Sequence, residues 1–174
     1  IRGTSDDGGI KTKLISSGTD RLFTCQDMQN LIVTYRNLEI RNGKAPNYGD
    51  GGAILLDNCS LTFENVDILG NSSEGKGGGM YLVNNSNPHL KTVQINNNTA
   101  EENGGGIYCD SSNPIIDNES KINGNKTFGE KGAGIFSTKK SSLQLHNYEI
   151  KENYIENQNA KGAGIYIEDV SNLL

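Results

Sequence analysis

The chain has 174 residues and a formal net charge of −5, with Lys and Arg scattered along it, so no basic stripe argues for a nucleic-acid partner. Its apolar runs are only a few residues long, far short of a membrane-spanning helix. Hydrophobic residues make up 33% of the chain and glycine contributes 22 residues, which suits a repeat protein because each layer buries only a few side chains.

The first 36 residues carry no clear copy of the pattern that follows, and we interpret residues 1–36 as one or more irregular first coils. A glycine-rich motif then occurs five times, at intervals of 26, 27, 28 and 30 residues. The copies are GGAIL from Gly51, GGGMY from Gly77, GGGIY from Gly104, GAGIF from Gly132 and GAGIY from Gly162. A period of this length indicates a stacked repeat, in which each repeat packs on its neighbour.

Two further sequence features recur with the period of the glycine motif, and we call them anchors. One is Ile-x-x-Asn, which begins at Ile68, Ile95, Ile122 and Ile150. The other is a single aliphatic residue, at Leu31, Leu61, Ile115, Leu143 and Leu173. Each period thus holds three short apolar segments separated by turn residues, a pattern that predicts strands. We predict an all-β parallel β-helix of about six coils, each of 26–30 residues with three short strands.

The chain starts at Ile1 and stops inside an apolar pattern at Leu174. We therefore expect residues 1–174 to form a single β-helix segment of a longer solenoid, with the regular repeats over residues 37–174. An open coil invites continuation by more chain or by another subunit, so the expected partners are other protein subunits, including head-to-tail neighbours, or flanking domains.

A family resemblance rests on two of these elements. The tetrapeptide GGAI stands at Gly51–Ile54, and it is paired with Ile-x-x-Asn where the family pattern has Phe-x-x-Asn. Over roughly residues 37–174 the chain resembles the repeats of polymorphic outer-membrane-type surface proteins. The resemblance implies a right-handed, pectin-lyase-like β-helix in a secreted or cell-surface protein, and it implies no enzyme activity.

Strand alternation divides the glycine motif into two faces. The inward face holds one aliphatic residue per coil, at Ile54, Met80, Ile107, Ile135 and Ile165. The outward face holds one large apolar residue per coil, at Leu55, Tyr81, Tyr108, Phe136 and Tyr166. Glycines are expected to leave the surface beside the rings bare, at Gly79, Gly106 and Gly134. The outward stripe is a candidate docking face for a partner chain, a domain or a sugar; alternatively, the rings stack within the sheet or belong to the core.

Asparagine is abundant and serves two predicted purposes. The Asn of each Ile-x-x-Asn anchor is expected to join a ladder of stacked amides, at Asn71, Asn98, Asn125 and Asn153. Six Asn-x-Ser/Thr sequons also occur, and two of them, at Asn71 and Asn125, fall on that ladder. The better candidates for glycosylation are the other four, at Asn58, Asn84, Asn97 and Asn118.

Catalytic signals are weak. Glu39 and Asp67 occupy one outward column on successive coils, at a spacing that approaches the roughly 5–5.5 Å of retaining glycosidases, and Arg41 follows close by. The same pair could hold Ca²⁺, or it could be solvated surface charge. His89 and His146 have no second ligand at a suitable spacing, so no metal site and no cofactor are expected.

Three cysteines form no CxxC motif. Cys25 and Cys59 fall near the same corner of consecutive coils, which makes a disulfide between them a candidate. Cys109 lies on the inward face and is expected to be a free buried thiol.

These observations favour a non-enzymatic extracellular or cell-surface protein, whose β-helix acts as a scaffold, a spacer or an adhesive or assembly module. The alternative is a carbohydrate-active β-helix, either a polysaccharide lyase or hydrolase or a module that binds polysaccharide. No nucleic-acid partner and no direct membrane insertion are expected.

Overall fold

The computed structural model describes residues 10–29, 32–47 and 49–169. Within these residues the chain forms strands and no helix, and all the strand pairs are parallel. Leu31 and Leu173 of the third sequence anchor lie outside the described residues.

The strands belong to three sheets. The first sheet contains β1 (Thr12–Ile15), β3 (Thr34–Arg41), β5 (Thr62–Leu69), β8 (His89–Lys91), β9 (Gln94–Asn96), β12 (Ile115–Asp117), β13 (Ser120–Asn123), β16 (Gln144–Leu145) and β17 (Tyr148–Lys151). The second contains β2 (Phe23–Met28), β4 (Ile54–Cys59), β7 (Met80–Val83), β11 (Ile107–Asp110), β15 (Ile135–Thr138) and β19 (Ile165–Ile167). The third contains β6 (Ser72–Ser73), β10 (Thr99–Ala100), β14 (Lys126–Thr127) and β18 (Tyr154–Ile155).

The register of the second sheet follows the sequence repeat. Its six strands stack in chain order, one per coil, and Ile107 lies opposite Met80 on one side and Ile135 on the other. The prediction of an all-β solenoid of about six coils with parallel sheets is therefore confirmed. Stacking also extends into the segment expected to be irregular, because β1 pairs with β3 and β2 pairs with β4 in register.

Left-handed backbone marks where the chain turns. In the first sheet, β5 pairs with both β8 and β9. One position has φ near +50° in five successive coils, inside the long strands β3 and β5 and between the shorter strands of the later coils. That column holds Asn37, Asn65, Thr92, Asn118 and Asn147. A second left-handed column follows the first sheet, at Asn42, Gly70, Asn97, Gly124 and Glu152. Asn and Gly dominate these columns because they tolerate positive φ best.

The inward side chains form one apolar core. The aliphatic column beside the glycines is fully buried from Ile54 to Ile135, and the free Cys109 side chain lies in the same core. Burial decreases at the last described coil, where Ile165 is only half-buried. Each coil thus contributes a few inward residues, as the composition indicates.

The asparagine ladder (Asn71, Asn98, Asn125 and Asn153) runs beside this core. The Oδ1 atom of each of the last three accepts both the backbone N–H and the Nδ2–H of the Asn one coil earlier, at 2.9–3.0 Å. Each Nδ2 also donates to a strand carbonyl, as Asn98 does to Ile68 at 3.0 Å. The ladder starts at Gly43, whose N–H donates to Asn71 Oδ1 at 2.8 Å. Buried amides are thereby fully engaged, which stabilises this corner in each of these coils.

A serine ladder (Ser86, Ser112 and Ser141) supports the corner after the second sheet. Ser112 Oγ accepts the N–H of Ser86 at 3.1 Å, and Ser141 Oγ accepts the N–H of Ser112 at 3.1 Å. Ser86 Oγ in turn accepts the N–H of Cys59 at 3.1 Å. Cys59 therefore occupies, on its own coil, the position that serine holds on later coils.

Candidate functional site

The outward stripe of the second sheet forms a continuous ring ladder (Tyr81, Tyr108, Phe136 and Tyr166). The centroids of Tyr81 and Tyr108 are 5.3 Å apart, those of Tyr108 and Phe136 are 4.9 Å apart, and the last pair is 5.9 Å apart. Interplanar angles fall from 31° at the first pair to 11° at the last. The parallel register imposes this stacking, because it places one ring directly above another on every coil.

The centre of the ring ladder is covered. Tyr108 is only 6% exposed and Phe136 only 2% exposed, although both project away from the core. Leu55, Tyr81 and Tyr166 are half-buried. The centre of the candidate docking face therefore offers little open apolar surface, and the alternative of stacking within the sheet describes the rings better. The reason is that neighbouring rings and the preceding turns leave little ring surface to solvent.

Two lysines that stand directly before the first glycine of a motif copy contribute to this cover. Lys76 Nζ lies 5.4 Å from the Tyr108 ring centroid, and Lys131 Nζ lies 5.0 Å from the Tyr166 ring centroid. Both contacts place an ammonium over an aromatic face. On the second coil the corresponding residue is Asp50, which accepts a hydrogen bond from the Tyr81 hydroxyl. Sequence reasoning missed these residues, although each stands directly before the first glycine of a motif copy.

The surroundings of Gly79, Gly106 and Gly134 differ from the prediction that these glycines leave the outer surface beside the rings bare. A Cβ built on Gly106 would lie 2.6 Å from Gly134 O and 3.1 Å from Asn125 Cγ, so this glycine faces the next coil and the asparagine ladder. Gly79 and Gly134 have equivalent surroundings. The glycine beside the ring is Gly104, with φ +73°, where a Cβ would lie 2.9 Å from Tyr108 Cβ. The prediction of a bare outer surface is therefore wrong, because Gly79, Gly106 and Gly134 lie against the backbone of the next coil.

Burial and nearby carboxylates change the acidity of two rings. Desolvation raises the pKa of Tyr81 well above its usual range, and Asp50 raises it further by charge and by hydrogen bonding. Desolvation also raises the pKa of Tyr108, with a smaller contribution from Asp110. Both hydroxyls therefore keep their protons at pH values above the ordinary tyrosine pKa of about 10.

The weak catalytic candidates are engaged in ion pairs. Glu39 and Asp67 are neighbours in register, as expected, but their side chains are only 13% and 18% exposed. Lys11 Nζ lies 2.5 Å from Asp67 Oδ1. Arg41 Nε lies 2.8 Å from Glu39 Oε1, and Lys13 Nζ lies 3.8 Å from the same oxygen. Lys11, in the segment expected to be irregular, was not foreseen as a partner.

The outward carboxylates at the end of the second sheet are also paired. Asp110 contacts Lys139 at 2.8 Å and Glu168 contacts Lys131 at 2.5 Å. Across the described residues, no three His, Cys, Asp or Glu side chains gather where they could hold a metal ion. Over the same residues, no helix is long and apolar enough to cross a membrane.

The four asparagines predicted as glycosylation sites all have a left-handed backbone conformation. Asn58, Asn84, Asn97 and Asn118 all have φ between 53° and 56°. Asn58 Nδ2 donates to Asp27 at 2.9 Å, and Asn84 Nδ2 donates to Asp57 at 2.7 Å. Asn84, Asn97 and Asn118 are exposed, whereas Asn58 is half-buried. Asn71 and Asn125 are buried in the asparagine ladder, as their sequence positions predict.

The structure joins Cys25 and Cys59 by a disulfide between the first two coils, with their Cα atoms 6.1 Å apart. Cys109 is free and buried, and desolvation raises the pKa of its thiol. A thiol that is buried and protonated does not exchange readily with a disulfide. Cys109 therefore does not compete for the disulfide between Cys25 and Cys59 by thiol exchange.

Comparison with known proteins gives one result. No curated protein and no solved structure matches the chain. A family model described as a right handed beta helix region matches residues 14–150, which is most of the chain. The matched span contains the ring ladder up to Phe136, the disulfide and most of the asparagine ladder. The chain therefore belongs to the family of right-handed β-helix proteins.

Proposed function

We propose that the chain is a non-enzymatic structural module of an extracellular or cell-surface protein. The observation that carries this proposal is the engagement of its two most enzyme-like carboxylates. Glu39 and Asp67 are shielded and contacted by Lys11, Lys13 and Arg41. A glycosidase uses one carboxyl group to donate a proton and another to attack the sugar or to activate water, so both groups must reach the substrate. Carboxylates engaged in this way are suited to binding adjacent coils together.

The remaining outward features support the same role. The ring ladder stacks on itself, and polar ladders bridge the corners of successive coils. Such continuous contacts produce a rigid rod in which each coil stabilises its neighbours. A rigid rod serves as a spacer, or as a building block that holds flanking domains or other subunits apart.

The extracellular location is inferred from the disulfide. Cys25 and Cys59 are linked across two coils and are almost completely buried. Structural disulfides persist in oxidising compartments and are rare where thiol systems keep cysteine reduced. Protein isolated from its natural compartment should therefore show a linked Cys25–Cys59 pair and one free thiol at Cys109 by mass spectrometry. Three free thiols would overturn the extracellular location.

The absence of catalysis is tested directly. Wild-type protein and the variants Glu39→Gln and Asp67→Asn are incubated with acidic and neutral polysaccharides, and released reducing ends and unsaturated products are measured. We expect no difference among them. Glu64→Gln is the matched control, because Glu64 forms a more exposed ion pair with Arg36 at 2.8 Å. Turnover by the wild type and by Glu64→Gln that is lost in the other two would establish the carbohydrate-active alternative.

A further inference from the structure

The fold sorts the six sequons into classes that the sequence treats alike. At Asn71 and Asn125 the side-chain amide is buried, donates to a backbone carbonyl and bonds the next Asn of the ladder. A glycan attached to Nδ2 would need the space that these partners occupy. These two positions cannot carry a glycan in the folded protein, because the glycan is bulky and must reach solvent.

Three sequons present their amide to solvent. Asn84, Asn97 and Asn118 are exposed and have left-handed backbone conformations. Within the described residues, no hydrogen bond engages the side-chain amide nitrogen of Asn97 or Asn118. The Asn84 amide donates one hydrogen bond to Asp57, which leaves its second N–H free. A substituted amide would keep one N–H, so this bond is compatible with a glycan.

Asn58 differs from Asn84 although both occupy the same corner column. It is half-buried, and its amide bonds Asp27 on the preceding coil while Asn84 lies on the following coil. Successive coils are about 4.8 Å apart, which is too close for two glycans to leave neighbouring positions side by side. The more exposed Asn84 is therefore favoured over Asn58.

We propose that the protein carries N-linked glycans at Asn84, Asn97 and Asn118 and not at Asn58, Asn71 or Asn125. In this reaction the Asn Nδ2 forms a bond to C1 of a lipid-linked oligosaccharide, the bond from C1 to the diphosphate breaks, the lipid diphosphate departs, and the amide loses one proton. The proposal rests on the proposed extracellular location, since the acceptor must enter the secretory pathway. The three glycans would stand at the corner after the second sheet (Asn84), at the corner after the first sheet (Asn97) and between β12 and β13 within the first sheet (Asn118).

The test expresses the chain, with a secretion signal, in a eukaryotic host and measures the mass of the secreted folded protein. Enzymatic removal of N-glycans in H₂¹⁸O converts each occupied Asn to labelled Asp, which locates the sites without mutating the ladder. We expect label at Asn84, Asn97 and Asn118. Each of the variants Asn84→Gln, Asn97→Gln and Asn118→Gln should lose one glycan, and Asn58→Gln should lose none.

The possible results distinguish a failure of the glycosylation proposal from a failure of the proposed extracellular location. Secreted protein with the Cys25–Cys59 disulfide but without glycans would overturn the glycosylation proposal and leave the extracellular location standing. Label at Asn71 or Asn125 in folded protein would also overturn it, because those amides are buried in the ladder. Natural protein with all three cysteines reduced would instead refute the location on which the inference rests.

Discussion

Asn98 donates both its backbone N–H and its side-chain Nδ2–H to one oxygen of Asn125, at 3.0 Å in each case. Asn125 repeats the arrangement with Asn153 on the next coil at 2.9 Å. One residue type thus satisfies the backbone of its own corner and the side chain of its neighbour. The ladder therefore links the corners of successive coils through shared acceptors.

Replacing Asn125 by Leu should lower the free energy of unfolding by about 3 kcal/mol, because it leaves two buried N–H donors of Asn98 without their shared acceptor and removes a hydrogen bond to the Ile95 carbonyl. Urea unfolding followed by circular dichroism measures the change. Asn97→Gly is the matched control: Asn97 is adjacent in space but exposed, and glycine accepts its φ of 56°. An equal loss in both variants would contradict the assigned role of the ladder.

Gly106→Ala should destabilise the protein by about 1–3 kcal/mol through overpacking, because the new methyl group would meet Gly134 O at 2.6 Å. Gly70→Asn should instead change stability by less than about 0.5 kcal/mol. Gly70 has open space around a Cβ and shares its left-handed column with Asn42 and Asn97. Thermal unfolding of both variants provides the comparison. If Gly106→Ala were as stable as wild type, the close contact between coils would be refuted.

Removal of the disulfide by Cys25→Ala and Cys59→Ala should lower stability by about 4 kcal/mol in the chain-entropy estimate for a sequence separation of 34 residues. Hydrogen exchange should rise first in β1 and β2, which the disulfide holds to the second coil. Cys109→Ala is the control: it also changes a buried cysteine but removes no cross-link. Unchanged exchange in β1 and β2 after disulfide removal would contradict this role.

Alkaline pH should destabilise the fold through Tyr81 and Tyr108. Their pKa values are raised in the folded protein, so above the ordinary tyrosine value of about 10 the unfolded chain loses these protons first. The folded state then binds more protons than the unfolded state, and stability falls as pH rises. The stabilisation is fully present below about pH 10 and is lost progressively above it.

Urea unfolding between about pH 8 and pH 11 tests this effect across the ordinary tyrosine range. The double variant Tyr81→Phe, Tyr108→Phe should lose less stability with rising pH than wild type does. Tyr154→Phe serves as the control, because that ring is 49% exposed. A double variant with the same pH dependence as wild type would show that the two hydroxyls are not protected by burial.

Several outward features show why prediction from sequence reached only part of the candidate site. The period of the glycine motif is sufficient to align Tyr81 with Tyr108, because parallel register puts equivalent residues side by side. It does not reveal that Lys76 reaches the ring one coil ahead, since that contact depends on the path of the turn. Strand alternation likewise did not predict the direction that a Cβ on Gly106 would take. That direction, toward Gly134 O and Asn125, depends on the path of the chain at the turn before the strand.

Local pattern in the sequence alone determined the parallel β-helix, the inward aliphatic column, the asparagine column and the alignment of the outward rings, because each depends on a repeat that every coil obeys. The tertiary structure alone decided which of these groups remain accessible. Tyr108 and Phe136 are covered, Glu39 and Asp67 are paired with cations, and the sequons divide into buried and exposed positions. Accessibility depends on contacts between coils and turns, and a one-dimensional period carries no information about how a side chain crosses from one coil to the next.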